Sequence, residues 1–379
     1  MGATVLDQVD RLGDVISEHV DAMEQQRRLS DEVVGAVRAT GLNRALVPAA
    51  LGGDDRNVVE VVEALERIAA MDGSTGWCAA IGAGSNLFAG YLPKDAAAEV
   101  FADPDQGNAG MFAPLGQVRP DGDQLRLTGR WPFCSNSLHS QWIGVGSMWF
   151  TSGEEPEPIP RLVFVPVADL TIEPTWDGPG LSGTGSHHAS ADGVVVDREH
   201  SLTFIDPSWA DGPLWRMPLF CVLGPALGIT ALGMARGSVA EVAERVAGGT
   251  NQLRGSLADD AVALADFARA EAALRAAKAG MVDATARAWE HAERGERAPK
   301  VLQAEVAAST SYGIEVAVEV ASTMHRLGGG SAAYAGSTLL RRLRDVEAAR
   351  QHILFSHAHR STFAKALAGE DTFYPPFLI

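Results

Sequence analysis

The stretch Gly129-Arg130-Trp131-Pro132-Phe133-Cys134-Ser135-Asn136-Ser137-Leu138-His139-Ser140-Gln141-Trp142 sets aromatic rings beside a dense run of hydroxyl and amide groups, where a strand should yield to a turn. Aromatic faces with Ser and Asn donors suit a flat heteroaromatic ligand, whose faces need packing and whose edge needs hydrogen bonds. A β-strand followed by a capped loop accounts for the same residues. A nucleophilic serine needs a base, and His139 is expected to point elsewhere if Ser135 sits at a strand end. Gly183-Thr184-Gly185-Ser186-His187-His188 is a second polar loop: its glycines allow close backbone approach and its hydroxyls can meet a ligand edge. A plain surface turn is the alternative there. Adjacent His187 and His188 lack the i, i+4 spacing of a helical metal site, and no carboxylate motif completes one, so no metal is expected. The third region is Arg341 to His357, where Leu343, Val346, Ala349 and Ile353 mark a buried helical face with His352 at its edge. A histidine there is either a satisfied core residue or a general base, whose pKa small changes of environment tune around neutrality. His357 and His359 read as more solvated.

The elements that must hold these residues follow from the chain's texture. Its 379 residues, 46% hydrophobic and 21% charged, suit two or three packed units and exclude a disordered, collagen-like or coiled-coil chain. A net charge of −17 and pI near 5.0 disfavour binding to nucleic acid or to an anionic membrane, which both need basic surface. Cys78, Cys134 and Cys221 stand far apart without a pairing pattern, and the amphipathic, acidic N-terminal stretch has no apolar signal core. The apolar run Phe220 to Ala235 is expected to be a buried helix rather than a span. A soluble, cytoplasmic protein is expected. Helical spacing runs from Val5 to about Thr40, with a start at Ser30, and again from Asp55 to Met71. The stretch Trp77 to Tyr91 is apolar all round and is expected to be buried or to face a cavity. From Gly107 to about Asp206, short alternating runs predict strands, including Trp142 to Trp149, Arg161 to Pro166 and Gly193 to Val196. No GxGxxG opens a helix after a strand, so a Rossmann site is not supported. Four long helical stretches follow: Leu219 to Ala247, Ala258 to Arg294, Ala298 to Leu327 and Ser337 to Leu367. The predicted class is α+β, mostly α: an N-terminal helical domain (1–106), a central β-barrel or sandwich (107–212) and a C-terminal four-helix bundle (213–379).

With Asp72-Gly73-Ser74-Thr75-Gly76-Trp77, Gly129 to Ser135, Gly183 to Ser186, and Arg344-Asp345 followed by Gln351-His352 in this order, the whole chain resembles the acyl-CoA dehydrogenase fold. Within that fold it resembles the flavin-dependent monooxygenases whose reduced flavin comes from a separate NAD(P)H-dependent reductase. The resemblance implies a homotetramer with reduced flavin (FMNH2 or FADH2) held between the β domain and the bundle, and no metal. It implies Ser135 near the flavin's reactive edge and His352 acting on substrate or on the oxygen adduct. Trp131, Phe133, Cys134, Ser135, Thr184, Gly185, Ser186, Gly330 and Ser331 are the implied cofactor contacts, and Asn86, Phe88 and Phe355 are candidates for the substrate wall.

Two departures separate the chain from the dehydrogenases of that fold. Gly329-Gly330-Ser331-Ala332-Ala333-Tyr334-Ala335-Gly336-Ser337 carries no carboxylate where many dehydrogenases place a base for the thioester α-proton. Glu241 or Glu244, on an earlier helix, is the remaining candidate. Near Thr250-Asn251-Gln252-Leu253-Arg254, Thr250 takes the place of the arginine expected for a cofactor pyrophosphate, with Arg254 a substitute. The expected function is the oxygenase component of a two-component monooxygenase, acting through a C4a-hydroperoxide on a small to medium organic substrate of aromatic or polyketide-like kind. An acyl-CoA dehydrogenase or flavin oxidase on the same fold is the alternative. A non-catalytic binding or assembly subunit is a third reading, weakened by the survival of Ser135 and His352.

Overall fold

A computed structural model describes residues 4–151, 155–248, 250–251 and 255–370. The N-terminal unit is helical: α1 (Val5–Val9), α2 (Gly13–Gln26), α3 (Asp31–Ala39), α4 (Val58–Met71), α5 (Gly73–Asn86) and α6 (Lys94–Val100). Ser30 caps α3 by accepting from Val33 N–H, and Asn57 caps α4 by accepting from Val59 N–H. Asp72, which reads as punctuation in the sequence, is the cap of α5, so that helix begins before Trp77. Nearly every residue of α5 is buried, as its all-round apolar composition requires.

The chain then turns to strands: β1 (Ala109–Asp121), β2 (Gln124–Trp131), β3 (Trp142–Trp149), β4 (Arg161–Pro166), β5 (Thr171–Glu173), β6 (His188–Val196) and β7 (Ser201–Thr203). They form one seven-stranded sheet in the order β5-β6-β2-β1-β3-β4-β7. All pairings are antiparallel except β1 with β3, whose register shifts between Met111 and Gly116. Val118, Leu127, Trp131, Val145, Trp149 and Val163 fill this domain's own core.

The remaining elements are α7 (Pro213–Arg216), α8 (Leu219–Gly248), the two-residue strands β8 (Thr250–Asn251) and β9 (Gly255–Ser256), α9 (Ala261–Glu293), α10 (Lys300–Leu327), α11 (Thr338–Arg350) and α12 (His357–Leu367). Helices α8 to α11 pack together as the bundle, and α8 also lies along α4, joining the two helical units in one core. α8 is long and apolar enough to cross a membrane, yet most of its apolar window is buried against protein. The helical stretch read from Ser337 to Leu367 is broken: α11 ends at Arg350, His352 is extended (φ −65°, ψ 139°), and a short turn over Ile353–Phe355 precedes α12. No Gly or Pro announces that break; the packing of His352 and Phe355 holds it.

Candidate active site

Two β-domain loops are laced together by their backbones. Cys134 N–H donates to His187 O (2.8 Å) and Asn136 N–H to Thr184 O (3.3 Å), while Phe133 and Asn136 take left-handed backbone angles (φ 61° and 67°). That clamp brings three buried hydroxyls into line. Ser135 Oγ lies 2.6 Å from Ser186 Oγ, which lies 2.6 Å from Thr184 Oγ1, and Thr184 donates to Leu181 O at 2.7 Å. Trp77 Nε1–H, from the first turns of α5, donates to Ser135 Oγ at 3.3 Å.

The indole of Trp77 also receives the C-terminal segment. His352 meets it edge-on with ring centroids 5.6 Å apart, and Phe355 packs on His352 at 5.6 Å. Ser135 and His352 therefore converge on one tryptophan from different domains. The His352 Nδ1 accepts Leu354 N–H at 3.3 Å, which leaves the proton of the neutral ring on Nε2. Apolar surroundings push its pKa down to about 4, so the ring is neutral at pH 7. Phe355 borders a small, partly open apolar pocket of about 40 Å³, together with Phe220, Cys221, Leu354 and Phe363.

Asp345 ties these parts together. Its Oδ1 accepts Leu181 N–H at 2.6 Å, and its Oδ2 would lie 2.8 Å from a Cβ at Gly73, the first residue of α5. Gly180 is pressed so closely against Arg344 O that a Cβ there would sit 2.0 Å away. Burial, and then the neighbouring Asp72, raise the Asp345 carboxyl to about 7. Arg341 and Arg344 both bind Glu24 of α2 beside it.

The other expected residues are placed as follows. Trp131 is a correction: it lies on the buried side of β2, fills the space beside Gly116 and Gly129, and donates to Gly146 O at 2.8 Å, so its ring presents no face to a ligand. Cys134 is wholly buried, and burial pushes its thiol up to about 12. Phe133 is 60% exposed beside Trp176 and His188, because the strand ends at Trp131 and the left-handed turn swings it outward. Gly185 is left-handed (φ 55°) between Thr184 and Ser186. Gly330 and Ser331 lie in the turn between α10 and α11, where Arg245 bonds Ser331 Oγ; no contact joins them to Ser135 in the single chain. The Asn86 amide is spent on Asn43 O, Pro104 O, Gln106 O and Asn108 N–H, and Phe88 packs in a cluster with Phe112, Phe164 and Phe204. Neither touches His352. His139 turns away from Ser135, as expected, and its Nε2 accepts Leu29 N–H. Glu241, one of the two alternative bases, is held by Arg245, Arg342 and Thr338 and is thereby committed to ion pairs. Arg254 lies outside the described residues. Among the described residues no cluster of His, Cys, Asp and Glu could hold a metal. Trp77, Leu181 and Trp176 carry no motif that marks a role for them in the sequence; the capped Asp72-Gly73-Ser74-Thr75 start is the available signal for Trp77.

Hydroxyls along one edge, the Trp77 indole, and a neutral imidazole beside an apolar cavity form a set that fits a flavin ring and a flat substrate. The fold is that of the acyl-CoA dehydrogenases: residues 226–357 match the family described as "Acyl-CoA dehydrogenase, C-terminal domain". XiaF from Streptomyces sp., solved with FADH2 and glycerol, superposes with a TM-score of 0.91 at 22% identity over 98% of this chain and 96% of that one. The chain is 34% identical to an indole-3-acetate monooxygenase of Pseudomonas putida over 87% of its own length and 84% of the relative's. It is 29% identical to the oxygenase component of an FADH2-dependent resorcinol hydroxylase of Rhizobium sp., over 68% of this chain and 64% of that one. Within the fold, the chain belongs to the flavin-dependent monooxygenases.

Proposed function

We propose that this chain is the oxygenase component of a two-component system that takes reduced flavin from a separate NAD(P)H-dependent reductase and oxygenates a flat aromatic substrate. The observation that carries the reading is the meeting of Ser135 and His352 on Trp77. Reduced flavin, when bound, supplies the electrons that activate oxygen. Ser135 binds the ring's reactive edge, with Thr184 and Ser186 behind it. His352, protonated on Nε2, donates to an oxygen of the bound substrate and orients it. Trp77 and Phe355 keep water from the reacting atoms, which matters because water diverts activated oxygen to peroxide.

The names of the relatives favour a mono- or bicyclic aromatic substrate, and the apolar lining beside Phe355 is of the kind that packs against a ring. Outward-facing Val262, Val301, Tyr312 and Tyr334 on and around the bundle favour a homotetramer, checked by sedimentation. Three buried, unpaired thiols favour the cytoplasm. The test supplies anaerobically reduced FMN or FAD and 18O2 with indole-3-acetate and resorcinol as probes. Label in an aromatic product is the expected result. A tightly held yellow flavin, reduced by a thioester and yielding no labelled product, would move the assignment to the dehydrogenases.

A further inference from the structure

We propose that Thr184 and Ser186 are positioning residues that polarise Ser135 into a hydrogen-bond acceptor, so that this site selects flavin by its oxidation state. The inference rests on the reading above that Ser135 meets the ring's reactive edge, and it adds what that contact distinguishes.

Three oxygen–oxygen contacts lie in a row: Leu181 O to Thr184 Oγ1 at 2.7 Å, Thr184 Oγ1 to Ser186 Oγ at 2.6 Å, and Ser186 Oγ to Ser135 Oγ at 2.6 Å. Oxygens this close need a proton between them, and three hydroxyls supply three protons. The carbonyl at one end can only accept. Thr184 therefore donates to Leu181, Ser186 to Thr184, and Ser135 to Ser186. At the other end Trp77 Nε1–H donates into Ser135 Oγ. Ser135 has spent its proton and holds one free lone pair toward any ligand. All three hydroxyls are at least nine-tenths buried, so bulk water offers no alternative partner.

The accepting end is anchored. Leu181 is left-handed (φ 51°), its N–H is held by Asp345, and its carbonyl also accepts Trp176 Nε1–H at 3.0 Å. The direction of the relay is thus set by an element of the bundle, α11, acting on a β-domain loop.

A lone pair pairs with an N–H. Reduced flavin carries an N–H at ring N5, whereas oxidised flavin presents a bare acceptor nitrogen there. To serve the oxidised form Ser135 must turn its proton to the ligand, and every hydroxyl behind it must reverse, leaving the Leu181 contact without one. That difference is worth one net hydrogen bond, about tenfold in affinity.

The test is equilibrium binding. Dissociation constants for oxidised and anaerobically reduced FMN and FAD are measured by tryptophan quenching in the whole protein, its Thr184→Val, Thr184→Ser and Ser186→Ala variants. The unmodified protein is expected to favour reduced flavin. Thr184→Val and Ser186→Ala should each cut that ratio about tenfold, equivalent to about 30 mV in the bound flavin's two-electron potential. Thr184→Ser, which keeps the hydroxyl, should retain it. An unchanged ratio in Thr184→Val and Ser186→Ala, or an equal loss in Thr184→Ser, would overturn the relay. Should Thr184→Val fail to fold, Ser186→Ala and Ser135→Ala cut the same relay at its other links and are judged by the same ratio. If the unmodified protein binds neither form, the flavin reading itself fails and the relay with it.

Discussion

The two sides that meet on Trp77 are built differently. The β-domain side is a set of small hydroxyls on two laced loops, with every proton committed through contacts of 2.6 to 2.7 Å. The helical side is aromatic, and among the described residues its polar member, His352, accepts a 3.3 Å bond within its own turn. The first side has little freedom, and in the relay proposed above it would read hydrogen-bond polarity. The second sits at a helix break beside a cavity and can adapt to substrate shape. The proposed roles, discrimination between flavin forms and handling of substrate, thus fall on separate elements, which a mutation on one side should separate.

The largest effect is expected at His352. In His352→Ala, product formation should fall about a hundredfold or more, while the affinity ratio for reduced over oxidised flavin stays at the unmodified value. Because the ring is already neutral down to about pH 4, the product rate should show no inflection near the ordinary histidine value of about 6.5. Single-turnover product yields from pH 5 to 8 check both statements, and a parallel loss of flavin selectivity would merge the two sides into one unit.

An intermediate effect is expected at Asp345, which links them. Its folded pKa of about 7 lies above the ordinary carboxylate value, so the folded state holds the proton longer than the unfolded one. The stability associated with that proton is complete below about pH 4 and is lost as the pH rises through about 7. Asp345→Asn keeps an oxygen for Leu181 N–H without the charge. It should be more stable than the unmodified protein at pH 8, on the order of 2 kcal/mol, with the difference vanishing toward pH 4. His352 and His139, both pushed down to about 4, contribute the opposite slope between about pH 6.5 and 4. They do so in both proteins and cancel in the comparison. Melting curves that remain parallel across this range would remove Asp345 as the titrating link.

The smallest effect is expected away from both sides. Glu241 of α8 is paired with Arg245 of the same helix and Arg342 of α11, and Glu241→Gln should leave oxygenation unchanged while costing no more than about 1 kcal/mol in stability. A hundredfold loss of turnover in that variant would instead point to a carboxylate base and to thioester chemistry.

Much of the scaffold was legible locally. Strands β3 and β4 run over the residues their apolar pattern marks, and α10 and α4 begin and end within a few residues of the spacing read along the chain. Ser30 and Ser337 cap helices where a polar residue precedes a periodic run. Such features depend on neighbours a few residues apart, and the sequence contains those neighbours directly. The orientation of the site was not legible in that way. Trp131 and Phe133 look equivalent in the chain, yet one fills the β-domain core and the other stands in solvent, because a left-handed turn intervenes. The spacing places His352 on the edge of a continuous helix, whereas tertiary packing of Phe355 and Trp77 puts it in a break. The sequence alone determined which elements form and which residues carry hydroxyls, carboxyls and rings. Only the tertiary structure decided that Asp345, Leu181, Thr184, Ser186, Ser135 and Trp77 join in one chain of hydrogen bonds, because such bonds form between loops brought together by packing and leave no periodicity along the sequence.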